Sequence, residues 1–203
     1  MKAGIDPEIY EAVGQAVKVL RSGGLFLYPT DTVWGIGCDA CNEDAVRKVF
    51  DLKRRADSKS LVLLAQDADM IRRYVDVPEI AAQLVEVNDA PMTIVYPPLA
   101  SPSDVSGAPL APLCLAEDGS VGIRIPFASQ FCMALLKAFG RPVVSTSANI
   151  SGEPSPRSRA EIAQEIVTGV DYVVPDACEG VSAGRPSQII KVGPDGEIKI
   201  IRG

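Results

Sequence analysis

The sequence predicts an α/β protein, a single domain over residues 1–203 built on a mixed, twisted β-sheet with flanking helices. Three observations carry this expectation. Strand-like and helix-like segments alternate early in the chain, and hairpin signals gather later. The 203 residues, 47% hydrophobic and 23% charged, suffice for one well-buried core.

Asp6-Pro7 reads as an N-cap followed by proline at the first helical position. Ile9, Val13, Val17 and Leu20 then recur at helical spacing until Gly23-Gly24 stops the run. Residues 25–28 are a short apolar run bounded by glycine and Pro29, which predicts a buried strand. Residues 29–40 are polar and glycine-bearing and read as a loop. A second helix starts at Asn42, with Glu43 and Asp44 in its first turn and Val46, Val49 and Phe50 facing inward, and it ends in a basic cluster. Residues 61–65 are expected as a strand, 67–74 and 78–87 as helices, and 92–96, 113–116 and 121–125 as strands. Asp118-Gly119 marks a tight turn between the last two. Residues 129–139 form an amphipathic helix closed by Gly140, and 142–146 a strand running into Ser147-Ala148-Asn149. Ser158 and Glu161 make a capping-box pattern for a helix ending near Gly169. Strands at 172–175, 188–192 and 197–201 follow, the last two joined across Gly193-Pro194-Asp195-Gly196. The stretch 97–112, rich in proline and serine and without periodicity, is expected to be a mobile surface loop.

Composition narrows the function classes. The first residues lack a basic region followed by an apolar run, and no apolar stretch approaches the roughly 20 residues that span a bilayer, so a cytoplasmic protein without membrane insertion is expected. Five scattered cysteines do not read as a disulfide framework. Cys38 and Cys41 form a C-x-x-C, the spacing of a redox pair or half a zinc site. With no histidine and no second such pair in the chain, they are read as small packing residues, and no protein-held metal is expected. The net charge of -6 argues against a protein that coats nucleic acid generically. Within it, Arg47, Lys48, Lys53, Arg54, Arg55 and Lys59 cluster in one window. That run is either a solvated helix end, where cations are favoured, or a site for phosphates.

The absence of histidine excludes a histidine triad or imidazole proton shuttle, and neither G-x-x-x-x-G-K-[ST] nor a helix-opening G-x-G-x-x-G is present. Four polar segments remain. Residues 28–37 combine hydroxyls with glycines that let backbone approach a ligand, although Thr and Asp also cap ordinary turns. Lys53-x-Arg55 with Lys59 supplies cations suited to phosphate oxygens. Ser145-Thr146-Ser147-Ala148-Asn149 follows a buried strand, and Arg185-Pro186-Ser187 precedes another; each has a plain reading as a cap or turn. None of the four is specific alone, but their order and spacing are.

Taken together, Tyr28-Pro29-Thr30-Asp31-Thr32 with Gly35 and Gly37, Lys53-x-Arg55 with Lys59, 120–126, 145–149 and 185–187 resemble the YrdC/TsaC family of threonylcarbamoyl-AMP synthases, in its short single-domain form, over nearly the whole chain. The resemblance implies a YrdC-like fold and a nucleotidyltransferase that joins L-threonine, bicarbonate and ATP into threonylcarbamoyladenylate and releases pyrophosphate. A threonylcarbamoyl transferase partner then modifies an adenosine next to the anticodon of certain tRNAs, with tRNA or structured RNA as a further contact. It implies Lys53 and Arg55 as catalytic cations, and Arg55, Lys59, Ser120, Ser145, Ser147, Asn149 and Ser155 as ATP contacts. Thr32, Arg124 and Ser187 are implied as threonine contacts, Arg124 facing the carboxylate. Magnesium is implied as an ion held mainly by the ATP phosphates.

The chain departs from the family at Ala56 and Ser60, where many relatives carry proline, and at Leu64, where some carry histidine. Two rival readings stay open: another carbamoyl-adenylate chemistry on the same fold, and a structured-RNA-binding module without chemistry. Threonine-dependent ATP turnover separates both from the synthase.

Overall fold

A computed structural model describes residues 6–55, 61–101 and 107–203. Helix α1 (Pro7–Arg21) starts where Asp6 accepts a hydrogen bond from the Glu8 amide at 2.8 Å. Strand β1 (Phe26–Tyr28) follows. Side chains alternate along the strand and the residue before it: Phe26 and Tyr28 enter one apolar cluster, Leu25 and Leu27 the other. A second strand, β2 (Gly35–Gly37), lies inside the segment expected as loop and pairs antiparallel with β1. Its glycines mask it from period-2 reading, and they are needed: a Cβ on Gly37 would lie 2.6 Å from the Phe26 ring.

Helix α2 (Glu43–Lys53) is capped by Asn42, whose Oδ1 accepts from the Ala45 amide at 3.0 Å. After β3 (Val62–Leu64), α3 (Ala68–Arg72) and α4 (Glu79–Val87) come β4 (Met92–Tyr96) and β5 (Val121–Arg124). The strand expected at 113–116 is absent. Pro112 instead opens a 3-10 turn over Pro112–Cys114, closed by the Leu115 amide bonding to the Pro112 carbonyl at 3.0 Å. Of the stretch 97–112, residues 102–106 lie outside the described residues; its far end is tied down by the Ala111 amide on the Ala40 carbonyl at 2.8 Å.

Helix α5 (Gln130–Phe139) is capped by Ser129 and closed by Gly140 at φ 78. The strand expected at 142–146 is two: β6 (Val143–Val144) and β7 (Thr146–Ser147), in different sheets. The helix expected from Ser158 is broken into a 3-10 turn, Arg159–Glu161, and α6 (Gln164–Thr168). Glu161 accepts from the Arg157 amide at 2.8 Å rather than from Ser158, so no capping box forms. Strands β8 (Tyr172–Val173), β9 (Gln188–Val192) and β10 (Ile198–Arg202) complete the fold.

The class is α/β as expected, with the strands divided between two mixed sheets. One has the order β7-β2-β1-β8, the other β10-β9-β4-β5-β3-β6. Helices α1 and α5 pack on one another over a cluster containing Leu20, Phe131 and Leu135. Leu64 is buried in that same cluster. The larger core, with Trp34, Phe50 and Leu63, fills the other side of β1 and β3. Among the described residues, no helix is long and apolar enough to cross a membrane.

Candidate active site

A cavity of about 330 Å³ opens between the two sheets. Thr93 and Val95 of β4 and Gly122 and Arg124 of β5 line it from the larger sheet, while Met92, Ile94 and Ile123, the alternate residues, face away toward a smaller hollow. The loop before β2, Gly35 itself, and Thr146 and Ser147 of β7 line it from the smaller sheet.

The loop is organised by Thr30. Its Oγ1 accepts from the amides of Thr32 at 3.0 Å and Val33 at 3.2 Å and lies 2.8 Å from the Thr32 hydroxyl. This turns the Asp31 carboxylate inward. Its Oδ1 accepts from Nη1 of Arg124 at 2.6 Å, and its Oδ2 accepts from the Phe127 amide at 2.8 Å. Nη2 of Arg124 donates to the Thr32 hydroxyl at 3.2 Å. The Arg124 and Asp31 side chains are 3% and 1% exposed. The anion that a buried guanidinium requires is therefore present in the protein, 93 residues away in sequence. Arg124 still borders the cavity, with Thr32 beside it.

Arg55 reaches the cavity through an unusual helix end. Arg54 closes α2 in the left-handed region, at φ 50, the one described non-glycine residue there. Such a conformation costs roughly 1–2 kcal/mol for an L-residue. Arg54 is held by paired bonds to Glu165 at 2.8 and 3.0 Å. The turn sends Lys53 and Arg55 in different directions. Arg55 lines the cavity, its guanidinium 5.9 Å from the Phe50 ring centroid, and burial lowers its pKa. Lys53 is buried, with its ammonium on oxygens of residues 147–149; burial, and then the charge of Arg55, bring its pKa down to about 8.

Of the residues expected at a site, Thr32, Arg55, Arg124, Ser145, Ser147, Ser155 and Ser187 come together on this cavity. Three others do not line it. Lys53 points into the protein. Asn149 spends its side-chain amide on the carbonyls of Ile150 at 3.0 Å and Glu153 at 2.6 Å. Ser120 stands before β5, at the opposite end of that strand from Arg124, and its hydroxyl donates to Asp118 at 2.5 Å. Lys59 lies outside the described residues.

Two residues that sequence reasoning missed belong to the site. Asp31 is one; in sequence it looks like a turn former. Arg202 is the other: its Nε and Nη2 donate to the Ser187 carbonyl at 3.0 and 2.7 Å, and it lines the cavity beside Ser187, whose hydroxyl is 2.8 Å from that of Thr93. It falls one residue past the strand expected at 197–201, and only its charge at the end of an apolar strand marked it.

The described lining holds three guanidinium groups and many hydroxyls, and neither carboxylate nor imidazole. Among the described residues, no group of three or more acidic, cysteine or histidine side chains could hold a metal ion. This donor set suits oxygen-rich anions and does not suit a resident divalent cation. The five thiols are unpaired, and burial raises the pKa of each.

An α/β fold with a cationic, hydroxyl-lined cleft between two mixed sheets, and no glycine-rich phosphate loop, defines a protein whose cleft is suited to small oxyanionic ligands through side chains gathered from distant strands. The Sua5/YciO/YrdC family model, described as "Telomere recombination", matches residues 18–203, and the chain belongs to that family. It is 33% identical over 183 residues to the threonylcarbamoyl-AMP synthase of Xanthomonas campestris, a match covering 88% of this chain and 92% of that one. It is similar to the crystal structure of Sua5 from P. abyssi complexed with L-threonine, with a TM-score of 0.75 and 25% identity. That match covers 94% of this chain, which spans 52% of the Sua5 chain. YciO of E. coli shares the fold at a TM-score of 0.79 and 23% identity, over 97% of this chain and 90% of its own.

Proposed function

We propose that this protein is an L-threonylcarbamoyladenylate synthase acting on L-threonine, bicarbonate and ATP. The observation that carries the reading is convergence. Thr32, Arg55, Arg124, Ser145, Ser147, Ser155 and Ser187 come from segments spread along the chain and line one cleft. Similarity to a named synthase over 88% of the chain supports the same reading.

The reaction fits a site without imidazole. The threonine amine and bicarbonate form a carbamate with loss of water. A carbamate oxygen then attacks the α-phosphorus of ATP, the bond to the β-phosphate oxygen breaks, and pyrophosphate leaves with that electron pair. Arg55 offsets charge on the phosphates, the serine hydroxyls orient the nucleotide, and Arg124 with Thr32 meets the amino acid. Catalysis is then mainly positioning and fixed charge. Magnesium belongs to this reading as the counter-ion carried in by the nucleotide.

The product, a mixed anhydride, must pass to an acyl acceptor, and in this reading a transferase partner moves the group to tRNA in the cytoplasm. Pyrophosphate release is measured with ATP and bicarbonate, with threonine present, omitted, or replaced by serine. Release that depends on threonine is expected. Release indifferent to the amino acid, or none at all, overturns the reading and favours other adenylate chemistry or an RNA-binding module.

A further inference from the structure

The basic segment that closes α2 contains two cations two residues apart, Lys53 and Arg55, that the fold treats oppositely. Arg55 goes to the cleft. Lys53 is 1% exposed, and its ammonium donates to the carbonyl of Ser147, to the carbonyl of Asn149 at 2.5 Å and to Oδ1 of Asn149 at 3.4 Å. An ammonium has three protons, and this turn supplies three acceptors. The backbone carbonyl of Lys53 accepts from the Ser151 amide at 2.9 Å. The last turn of α2 is therefore tied to both ends of the 147–151 turn by one residue.

The bonds continue from there toward the cleft. The Ser147 hydroxyl, on the cleft wall, donates to Oδ1 of Asn149 at 2.5 Å. The Asn149 amide is itself held by two carbonyls, so its Oδ1 faces Lys53 and Ser147 together. In a partly buried network of this kind, centred on a buried ammonium, each bond fixes the next, and removing the central donor strands several acceptors at once.

We infer that Lys53 is a positioning residue, an internal cation that clamps the 147–151 turn so that Ser147 and Arg55 present themselves to the ligand while Lys53 touches none of it. The inference rests on reading the cleft as the nucleotide site.

Two measurements test it. In the first, the unaltered folded protein is acetylated under limiting reagent, with and without ATP, and each lysine is followed by mass spectrometry. Lys53 should react far more slowly than exposed Lys18 and Lys137 in both conditions. Rapid labelling of Lys53 in the free protein that ATP suppresses would mean a direct phosphate contact and overturn the proposal. The second is a double-mutant cycle on ATP affinity, measured by calorimetry, with Lys53→Met, Ser147→Ala and both. Lys53→Met should weaken ATP about tenfold, and Ser147→Ala should add less than about twofold in that background, because the second acts through the first. Losses that multiply overturn the proposal. If Lys53→Met does not fold, the labelling result decides. The labelling of the free protein needs no turnover, so a failed synthase assay and a failed positioning role are separate results.

Discussion

Replacing Asp31 by asparagine should destabilise the protein far more than the exchange of one heavy atom suggests. The carboxylate lies 2.6 Å from Arg124 with both side chains almost wholly excluded from water, so solvent screening gives no discount. The substituted amide could still accept one bond but would carry no charge, leaving a buried guanidinium uncompensated. Breaking a buried pair in this way costs about 3–5 kcal/mol. For a chain of this length each kcal/mol moves Tm by roughly 2–4 °C, so a fall on the order of 10 °C is expected in a calorimetric melt. The double change Asp31→Leu with Arg124→Met removes both charges and should recover much of that loss, since an apolar pair of similar volume is often as stable. It should not recover threonine-dependent pyrophosphate release, because the cleft then lacks the Arg124 guanidinium while keeping those of Arg55 and Arg202. A single variant within about 0.5 kcal/mol of the parent, or a double variant that turns over threonine normally, would refute the reasoning. The conservative change Arg124→Lys replaces a fork holding Asp31 and Thr32 by a point charge. It should raise KM for threonine well beyond any change in KM for ATP.

Arg55→Ala should weaken ATP use by about 2–5 kcal/mol with the far-ultraviolet circular dichroism unchanged, since it removes a half-buried cation from the cleft and empties no core. Near-normal pyrophosphate release at low ATP would make Arg55 part of a solvated helix end. Gly37→Ala should cost about 1–3 kcal/mol in urea denaturation, because its Cβ would meet the Phe26 ring at 2.6 Å and the Tyr28 ring at 2.9 Å. An unchanged midpoint would show that the stacked pair, 4.5 Å between centroids, shifts freely. The thiols set a pH dependence. Burial pushes Cys41 up to about 11 and Cys114 and Cys132 up to about 12, from 9.0 in the unfolded chain. Above pH 9 the unfolded state loses these protons first, so their contribution is intact below pH 9 and is lost as pH rises to 11 and 12. Urea midpoints should hold from pH 7 to about 8.5 and then fall; a midpoint that rises through pH 10 would contradict the burial of these groups.

Local signals were legible in the sequence. Asp6-Pro7, Asn42, Ser129 and Gly140 each act within a few residues of themselves, so the starts of α1, α2 and α5 and the end of α5 lie where their caps place them. What stayed hidden depends on distant partners. The strand β2 is three residues long with glycine at both ends, and only pairing with β1 and β7 makes it a strand. Asp31 reads as a turn residue until the fold brings Arg124 to it. Asn149, read as a ligand contact, is consumed by its own turn, and Lys53 lies two residues from Arg55 yet faces the other way because Arg54 adopts a left-handed conformation. The gathering of seven expected residues on one cleft was implied instead by the resemblance to a family, which periodicity and capping signals do not supply.

The passage of the chain from one sheet to the other has a thermodynamic consequence. Val144 pairs with Leu63 in the larger sheet and Thr146 with Ile36 in the smaller, so Ser145 alone separates the two ladders there, and Ser145 borders the cleft. A molecule seated in the cleft touches both sheets and acts as a non-covalent cross-link between them. Saturation at about a hundredfold over Kd adds about 2.7 kcal/mol to the folded state. Ligand affinity and cohesion of the two halves become one quantity, readable as a thermal shift before any turnover is measured.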